Sequence, residues 1–564
     1  MRKLFLTGVA VPLILAGCAN VETTPTLAET LETGGALKPE QQHLNLEKAN
    51  LFFDIRPENR EVKGKTELVL SVSEKQSNFL LNFDNNYQIS EFSINNHETT
   101  NYTHRNGEIR FTLEQPLTVG EELKVAIEYK GQPHVAVNPP WDGGYVWDET
   151  ETGKPWIATA VQGEGCDLIW PCIDHPKFEA GQTDIVVRVP KGLVAASNGR
   201  LVESSEGDDW SQYHWRSEQP QNNYGIALNV GPYEVLRDTY HSRYGHEYPL
   251  VFYYLEGKKD KAKKLFDEFS KQLDFYEDVI GPYPFYKEKM GVVETPHLGM
   301  EHQTINAYGQ EYKAGKYNFD WLLHHELAHE WFGNQVTNTD WDHMWLHEGF
   351  GAYMQPLYGQ YLHGDFAYHG MMYETRIGLR NEHPVVSNKP MSEDDVYKED
   401  RGPGSDIYQK GAWILHTLRH LIGDDDFFAA TRKLVYQTTN PKPGNFEPHF
   451  ADTQYFIDAI NEQTGKDYTW FFKHYLYTAA LPELVAEREG NQLRLHWKTF
   501  NEAPFELPVE VKVGDSIVTV VVGKTPVQVE LPTARTHYIL DPLHKILKQA
   551  DYLDEYAKEQ REQE

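Results

Sequence analysis

His325-Glu326-Leu327-Ala328-His329, inside the apolar-periodic segment from Phe319 to Val336, decides how this 564-residue chain is read. On a helix, positions four apart share a face, so both imidazoles reach one ion. Neutral imidazole nitrogens suit zinc, and a catalytic zinc takes three protein ligands and keeps one position open. Glu348 follows His329 by nineteen residues, at the start of the next helical segment, Glu348-Gly349-Phe350-Gly351-Ala352-Tyr353. An antiparallel helix pair with a loop between would bring that carboxylate in as third ligand. His324 competes, but it is five residues from His329, off the shared face, and no glutamate directly follows it. Glu326 is next to a ligand yet points off it, which suits a general base taking a proton from water. One further donor is needed where oxyanion charge develops.

Outward from this stretch the hydrophobic period changes twice. Lys261 to Val279 carries Leu265, Phe266, Phe269, Leu273 and Tyr276 at helical spacing. Further helices are expected over 319–336, 348–363, 406–421, 425–437, 451–463 and 468–477. Before them, runs such as Leu68-Val69-Leu70 and Asp184-Ile185-Val186-Val187-Arg188-Val189, with Asn106-Gly107 and Asn198-Gly199 turns, read as strands. After Leu481-Pro482, Val509, Val511 and Val513 alternate with Glu510 and Lys512, which is period two. The expected organisation is multidomain α+β: an all-β domain at 41–236, a mostly helical domain at 237–480, a small β-sandwich at 481–546 and a charged tail, a frayed helix, at 547–564. A length of 564 suits about three or four domains.

The start of the chain reads as an address. Arg2 and Lys3 precede an apolar stretch, Leu4 to Leu15, too short to span a bilayer as a helix. Leu15-Ala16-Gly17-Cys18 then resembles a bacterial lipoprotein signal, with cleavage before Cys18 and a lipid on its thiol. Ala19 in place of Asp favours the outer membrane over the inner. Residues 19–40, rich in Thr, Glu and Gly, read as a flexible tether. No other apolar run reaches spanning length, so the expected location is the cell envelope, with lipid the sole membrane contact. A net charge of −31 repels phosphate backbones, so no nucleic acid is expected as partner. Three cysteines exclude a disulfide scaffold; Cys166 and Cys172 either pair in an oxidising envelope or stay free.

The motifs around these residues resemble the gluzincin aminopeptidases, the family of aminopeptidase N and leukotriene-hydrolase-type enzymes. The resemblance rests on His325-Glu326-Leu327-Ala328-His329-Glu330-Trp331-Phe332-Gly333-Asn334, Trp345-Leu346-His347-Glu348-Gly349-Phe350, Phe275-Tyr276-Glu277 with Gly281-Pro282-Tyr283-Pro284, and Trp170-Pro171-Cys172-Ile173-Asp174. It covers most of 45–545. It implies a β-saddle N-terminal domain, a thermolysin-like catalytic domain holding one Zn2+, and a small β-sandwich. It is a resemblance to a short form without the large helical domain of many members, and so to a more open cleft.

The family's Gly-x-Met-Glu-Asn motif matches Leu298-Gly299-Met300-Glu301-His302, which departs from it at both ends. The resemblance makes Glu301 the carboxylate that binds the substrate's free α-amine, with Gly299 and Met300 beside the peptide. It places Gln162 where a second amine-binding residue stands; a plain loop glutamine is the rival reading. Tyr408, in Tyr408-Gln409-Lys410-Gly411-Ala412, matches the tyrosine that stabilises the tetrahedral intermediate. Gly402-Pro403-Gly404-Ser405-Asp406 reads as a loop with a helix cap, which puts Tyr408 in a first helical turn. The implied activity is removal of N-terminal residues from peptides that carry a free N-terminus. An epoxide hydrolase, a thermolysin-type endopeptidase and a catalytically dead binding scaffold are the rival readings.

Overall fold

The computed structural model describes residues 32–313 and 315–561. Cys18 and the rest of the signal-like segment lie outside the described residues. The N-terminal domain is built on an eight-stranded sheet. Its centre is strand Leu44–Arg56, paired antiparallel with Glu61–Val72 and parallel with Gln182–Pro190. Alternate residues of that strand, among them Leu51, Phe53 and Ile55, are buried, as period-two patterning requires. A four-stranded sheet follows, with Pro155–Ala160 between Gly144–Glu149 and Asn229–Gly231.

The next domain opens with a five-stranded sheet. Strands Glu247–Leu255, Met290–Glu294 and Asn306–Tyr308 run parallel in sequence, and the two-residue strand Gly299–Met300 closes one edge, antiparallel to Asn306–Tyr308. The other edge is Tyr233–His241. The expected boundary at 236/237 therefore falls inside a strand. That strand pairs into the second domain's sheet, while its extended pattern matches the β-domain before it.

The helices are α1 (Lys259–Val279), α2 (Trp321–Ala328), α3 (Trp345–His363), α4 (Asp365–Ile377), α5 (Glu393–Tyr397), α6 (Gln409–Ile422), α7 (Asp424–Tyr436), α8 (Thr453–Thr464), α9 (Thr469–Tyr475) and α10 (Asp551–Arg561). The helix expected over 319–336 is much shorter. Asp320 caps its start by accepting from the Leu323 amide at 2.9 Å, and the chain leaves the helix after His329 so that Val336–Asn338 can pair with His449–Ala451. After Leu481 come two three-stranded sheets, 483–498 with 527–530 and 506–523 with 538–540. Within the stretch expected to be a charged, frayed tail, α10 is docked: Leu553 and Ala557 are buried, and Arg376 on α4 donates to Asp554 at 2.8 Å. Among the described residues no helix is long and apolar enough to cross a membrane.

The tether expected over 19–40 is also corrected where it is described. Thr33 is buried and donates to Asp174 at 2.8 Å; its carbonyl accepts from the Glu393 amide at 3.1 Å, and the Gly35 amide donates to Met391 O at 2.9 Å. Lys38 and Glu40 pair with Glu108 and Arg110. Residues 32–40 thus lie against both domains. Cys166 and Cys172 form a disulfide, which closes the choice the sequence left open.

Candidate metal centre and cleft

α2 carries His325 and Glu326, with His329 one residue past its last turn but still in helical conformation. α3 packs against α2 and presents Glu348 from its first turn. Gly351, one turn further on, is needed for that approach: a Cβ there would stand 3.2 Å from His329 Cε1 and 3.3 Å from His325 Cε1. Three donor atoms converge as a result. His325 Nε2 and His329 Nε2 are 3.3 Å apart, and Glu348 Oε2 is 3.3 Å from the first and 3.4 Å from the second.

This triangle fits zinc. Tetrahedral ligands at roughly 2.0–2.1 Å from the metal stand roughly 3.3–3.4 Å from one another. The charge balance agrees. Burial resists charge on His329, yet Glu348 outweighs it and raises the imidazole to about 10. Burial likewise pushes Glu348 up, but His329 and His325 hold it well below the usual carboxylate range. The cluster is therefore poised around positive charge. His329 Nδ1–H donates to Phe332 O at 2.9 Å, which turns Nε2 inward. His324 is not part of this cluster. Its ring stacks between Tyr276 and Tyr358, at 5.2 and 4.6 Å, in the aromatic core.

The donor triangle opens on a cleft of about 450 Å³ lined by every expected site residue that the structure describes: Gln162, Gly299, Met300, Glu301, His325, Glu326, His329, Glu348 and Tyr408. Gln162 Nε2 donates to Glu301 Oε1 at 2.6 Å, so it is more than a loop glutamine. Tyr224, which the sequence reading missed, donates to the same oxygen at 3.0 Å. Glu301 and Glu326 have one oxygen each within 4.8 Å of the other and of a His329 nitrogen. Burial raises both carboxyls, Glu326 well above its ordinary value; Glu301 and Glu348 push Glu326 up further, and Glu348 pushes Glu301 up. A Cβ at 299 on the edge strand would displace the Glu326 carboxyl, so glycine there lets that carboxyl lie against the strand. His302, the departure at the end of the motif, is fully buried and burial pushes it down to about 3.

Tyr408 stands immediately before α6, not within its first turn. The preceding 3-10 turn, Gly404–Ile407, replaces the expected cap, and Asp406 turns inward to accept from the Arg380 and Asn381 amides. α6 touches α3 where Gly411 meets Gly349, which brings Tyr408 to the Glu348 side of the cleft. Tyr408 and Tyr397 hydroxyls are 2.8 Å apart, and Tyr397 donates to Glu348 Oε1 at 3.4 Å. Burial raises both phenols well above their ordinary value, so each remains a donor. Tyr397 was also missed. The legible signal was Ser392-Glu393-Asp394-Asp395, a helix start in which Ser392 Oγ accepts from the Asp395 amide at 3.2 Å.

Comparison with known proteins agrees with this arrangement. The Peptidase M1 N-terminal domain matches residues 43–224 and the Peptidase family M1 domain matches 265–475. "Probable aminopeptidase 1" of Saccharolobus solfataricus is 23% identical over 513 residues, 86% of this chain and 61% of that protein. Leukotriene A-4 hydrolase of Xenopus laevis is 26% identical, covering 78% of this chain and 72% of its own. The chain spans between 44% and 61% of the length of the first four relatives. An M1 zinc metallopeptidase from Deinococcus radiodurans shares the fold with a TM-score of 0.64 at 23% identity, over 78% of this chain and 95% of that one. With both domain models matched in order around one His-Glu-x-x-His and Glu348 site, this chain belongs to peptidase family M1.

Proposed function

We propose that this chain is a zinc aminopeptidase that removes the first residue from peptides with a free N-terminus. The observation that carries the reading is Glu301. A buried carboxylate held by Gln162 and Tyr224 opens into the same cleft as the three-ligand triangle, so an α-ammonium paired there sets only the first peptide bond beside the metal position. His325, His329 and Glu348 would hold the ion, and the chemistry it supplies there is Lewis acidity toward water and a carbonyl. Glu326, kept basic enough by burial, accepts the attacking water's proton and passes it to the leaving amine. Tyr408 donates its O–H to the developing oxyanion, and Tyr397 orients it. The edge strand Gly299–Met300 offers backbone along which the substrate lies.

We also propose that the protein is held at a bacterial cell envelope by a lipid on Cys18. The signal-like sequence supports this, and radiolabelled palmitate incorporation lost in Cys18→Ser tests it. For the activity, the zinc-loaded full chain in detergent is given aminoacyl fluorogenic amides and their N-acetylated twins, with and without chelator. Cleavage of the free-amine set alone, lost on chelation and restored by zinc, is expected. Cleavage of the acetylated twins would remove Glu301 from its assigned role.

A further inference from the structure

We infer that the cleft selects peptides whose first residue carries a cationic side chain, arginine or lysine, and that Glu393 is the carboxylate that meets it. The inference rests on the aminopeptidase reading, since the amine site fixes where the first side chain goes.

Among the described residues, five glutamates line the cleft and no lysine or arginine does. Four of the five have partners. Glu348 faces two imidazoles, Glu326 faces the donor triangle, Glu301 accepts from Gln162 and Tyr224, and Glu399 pairs with Arg380. Glu393 is 8% exposed and lines the cleft, and among the described residues no protein hydrogen bond or salt bridge acts on its carboxyl, which opens on the cleft. The cations of the same turn are spent elsewhere: Lys398 and Arg401 pair with Asp394, and Arg401 also with Asp395. A carboxyl with so little exposure and no protein partner is best satisfied by a group that enters the cleft.

The position of that carboxyl tells what would supply it. A Cβ on Gly163 would lie 3.3 Å from Glu393 Oε2. Gly163 directly follows Gln162, whose amide is 2.6 Å from Glu301. The backbone at 162–163 therefore connects the amine site to Glu393. A first residue with its ammonium on Glu301 has its Cα beside this backbone, and a long side chain reaches the Glu393 carboxyl. Trp141, 55% exposed, overhangs the same wall and offers an aromatic face to a guanidinium. A metal ion is a poor fit, because among the described residues neither Glu393 nor its neighbour Glu164 belongs to a group of three ligand atoms within 4.8 Å. Burial, then the Glu164 and Asp394 carboxyls, raise Glu393 well above the usual range, so it ionises when a cation arrives to pair with it.

The test compares arginyl, citrullinyl and leucyl amides with the zinc-loaded full chain. Citrulline keeps arginine's shape and loses its charge. The expected kcat/KM ratio of arginyl to citrullinyl is at least about tenfold, mostly in KM, and Glu393→Gln brings it to within about threefold of one. Glu164→Gln gives a smaller drop and covers the case in which Glu393→Gln does not fold. Calorimetry of argininamide and citrullinamide binding to zinc-loaded Glu326→Gln gives a second readout that needs no turnover. If no amide is cleaved, the aminopeptidase reading fails while calorimetry still decides this one. Equal binding of the two amides overturns the inference, as does a Glu393→Gln variant that slows all three substrates in parallel with the ratio intact.

Discussion

Gly411→Ala is the substitution that most directly tests how the fold positions the site. The new Cβ would lie 2.8 Å from Gly349 Cα, backbone against backbone, with no flexible side chain to give way. Carbon atoms in contact sit about 3.5–4.0 Å apart, so α6 and α3 must separate by roughly 0.7–1.2 Å. Tyr408 is three residues before the new methyl and Glu348 one residue before its neighbour, so the separation falls between the oxyanion donor and a metal ligand. A displacement near 1 Å of a positioned group costs about 10²-fold in rate, and loss of an oxyanion donor costs about 10²–10³-fold. The expected result is kcat lower by about 10²-fold with KM within a few-fold, and a stability loss of about 1–3 kcal/mol from overpacking. Steady-state kinetics, zinc content and a thermal melt measure these. Tyr408→Phe should lower kcat to a similar degree, and the double variant should be little worse than Tyr408→Phe alone, because both act through one hydroxyl. A Gly411→Ala enzyme with wild-type kcat, or a double variant whose loss is the product of the two, would refute the positioning argument.

Glu326→Gln should lower kcat by about 10²–10⁴-fold while zinc content stays at the wild-type level, since Glu326 is a proton carrier and not a ligand; loss of the metal would reassign it. A chain beginning at Leu37 loses the Thr33–Asp174 bond and the backbone bonds to Met391 and Glu393. At about 0.5–1.5 kcal/mol each, these three should cost roughly 2–4 kcal/mol locally, and hydrogen exchange over 391–397 should speed up; unchanged exchange there counts against the brace. His297 is buried, neither ring nitrogen has a partner among the described residues, and burial lowers it from 6.5 to about 4. Its contribution to stability is complete above about pH 6.5, where the unfolded chain is also neutral, and is lost as pH falls toward 4. Urea midpoints should therefore drop between pH 7.5 and 5, and His297→Leu should flatten that drop; a parallel fall in both proteins would show that other groups set it.

What the sequence revealed and what it withheld divide along a physical line. The triangle of His325, His329 and Glu348 was legible because helical period alone puts two imidazoles on one face and a carboxylate on the next helix. The strands of 44–56 and 506–513 were legible because one buried face writes itself into alternate residues. Tyr224 and Tyr397 were not, since each is one tyrosine in a loop or short helix, and its meaning comes from the glutamate it meets across the cleft. The same reason explains residues 32–40. Thr33-Gly34-Gly35 has the composition of a linker, and composition reports how a segment behaves without a partner. Here the glycine at 34 has φ +85° and lies where a Cβ would collide with Trp341, while Thr33 O holds the Glu393 amide. Small residues were read as freedom when they mark close approach. The consequence is that Thr33 and Gly35 are fastened to the start of the helix that carries Glu393 and Tyr397, so this stretch braces one wall of the cleft.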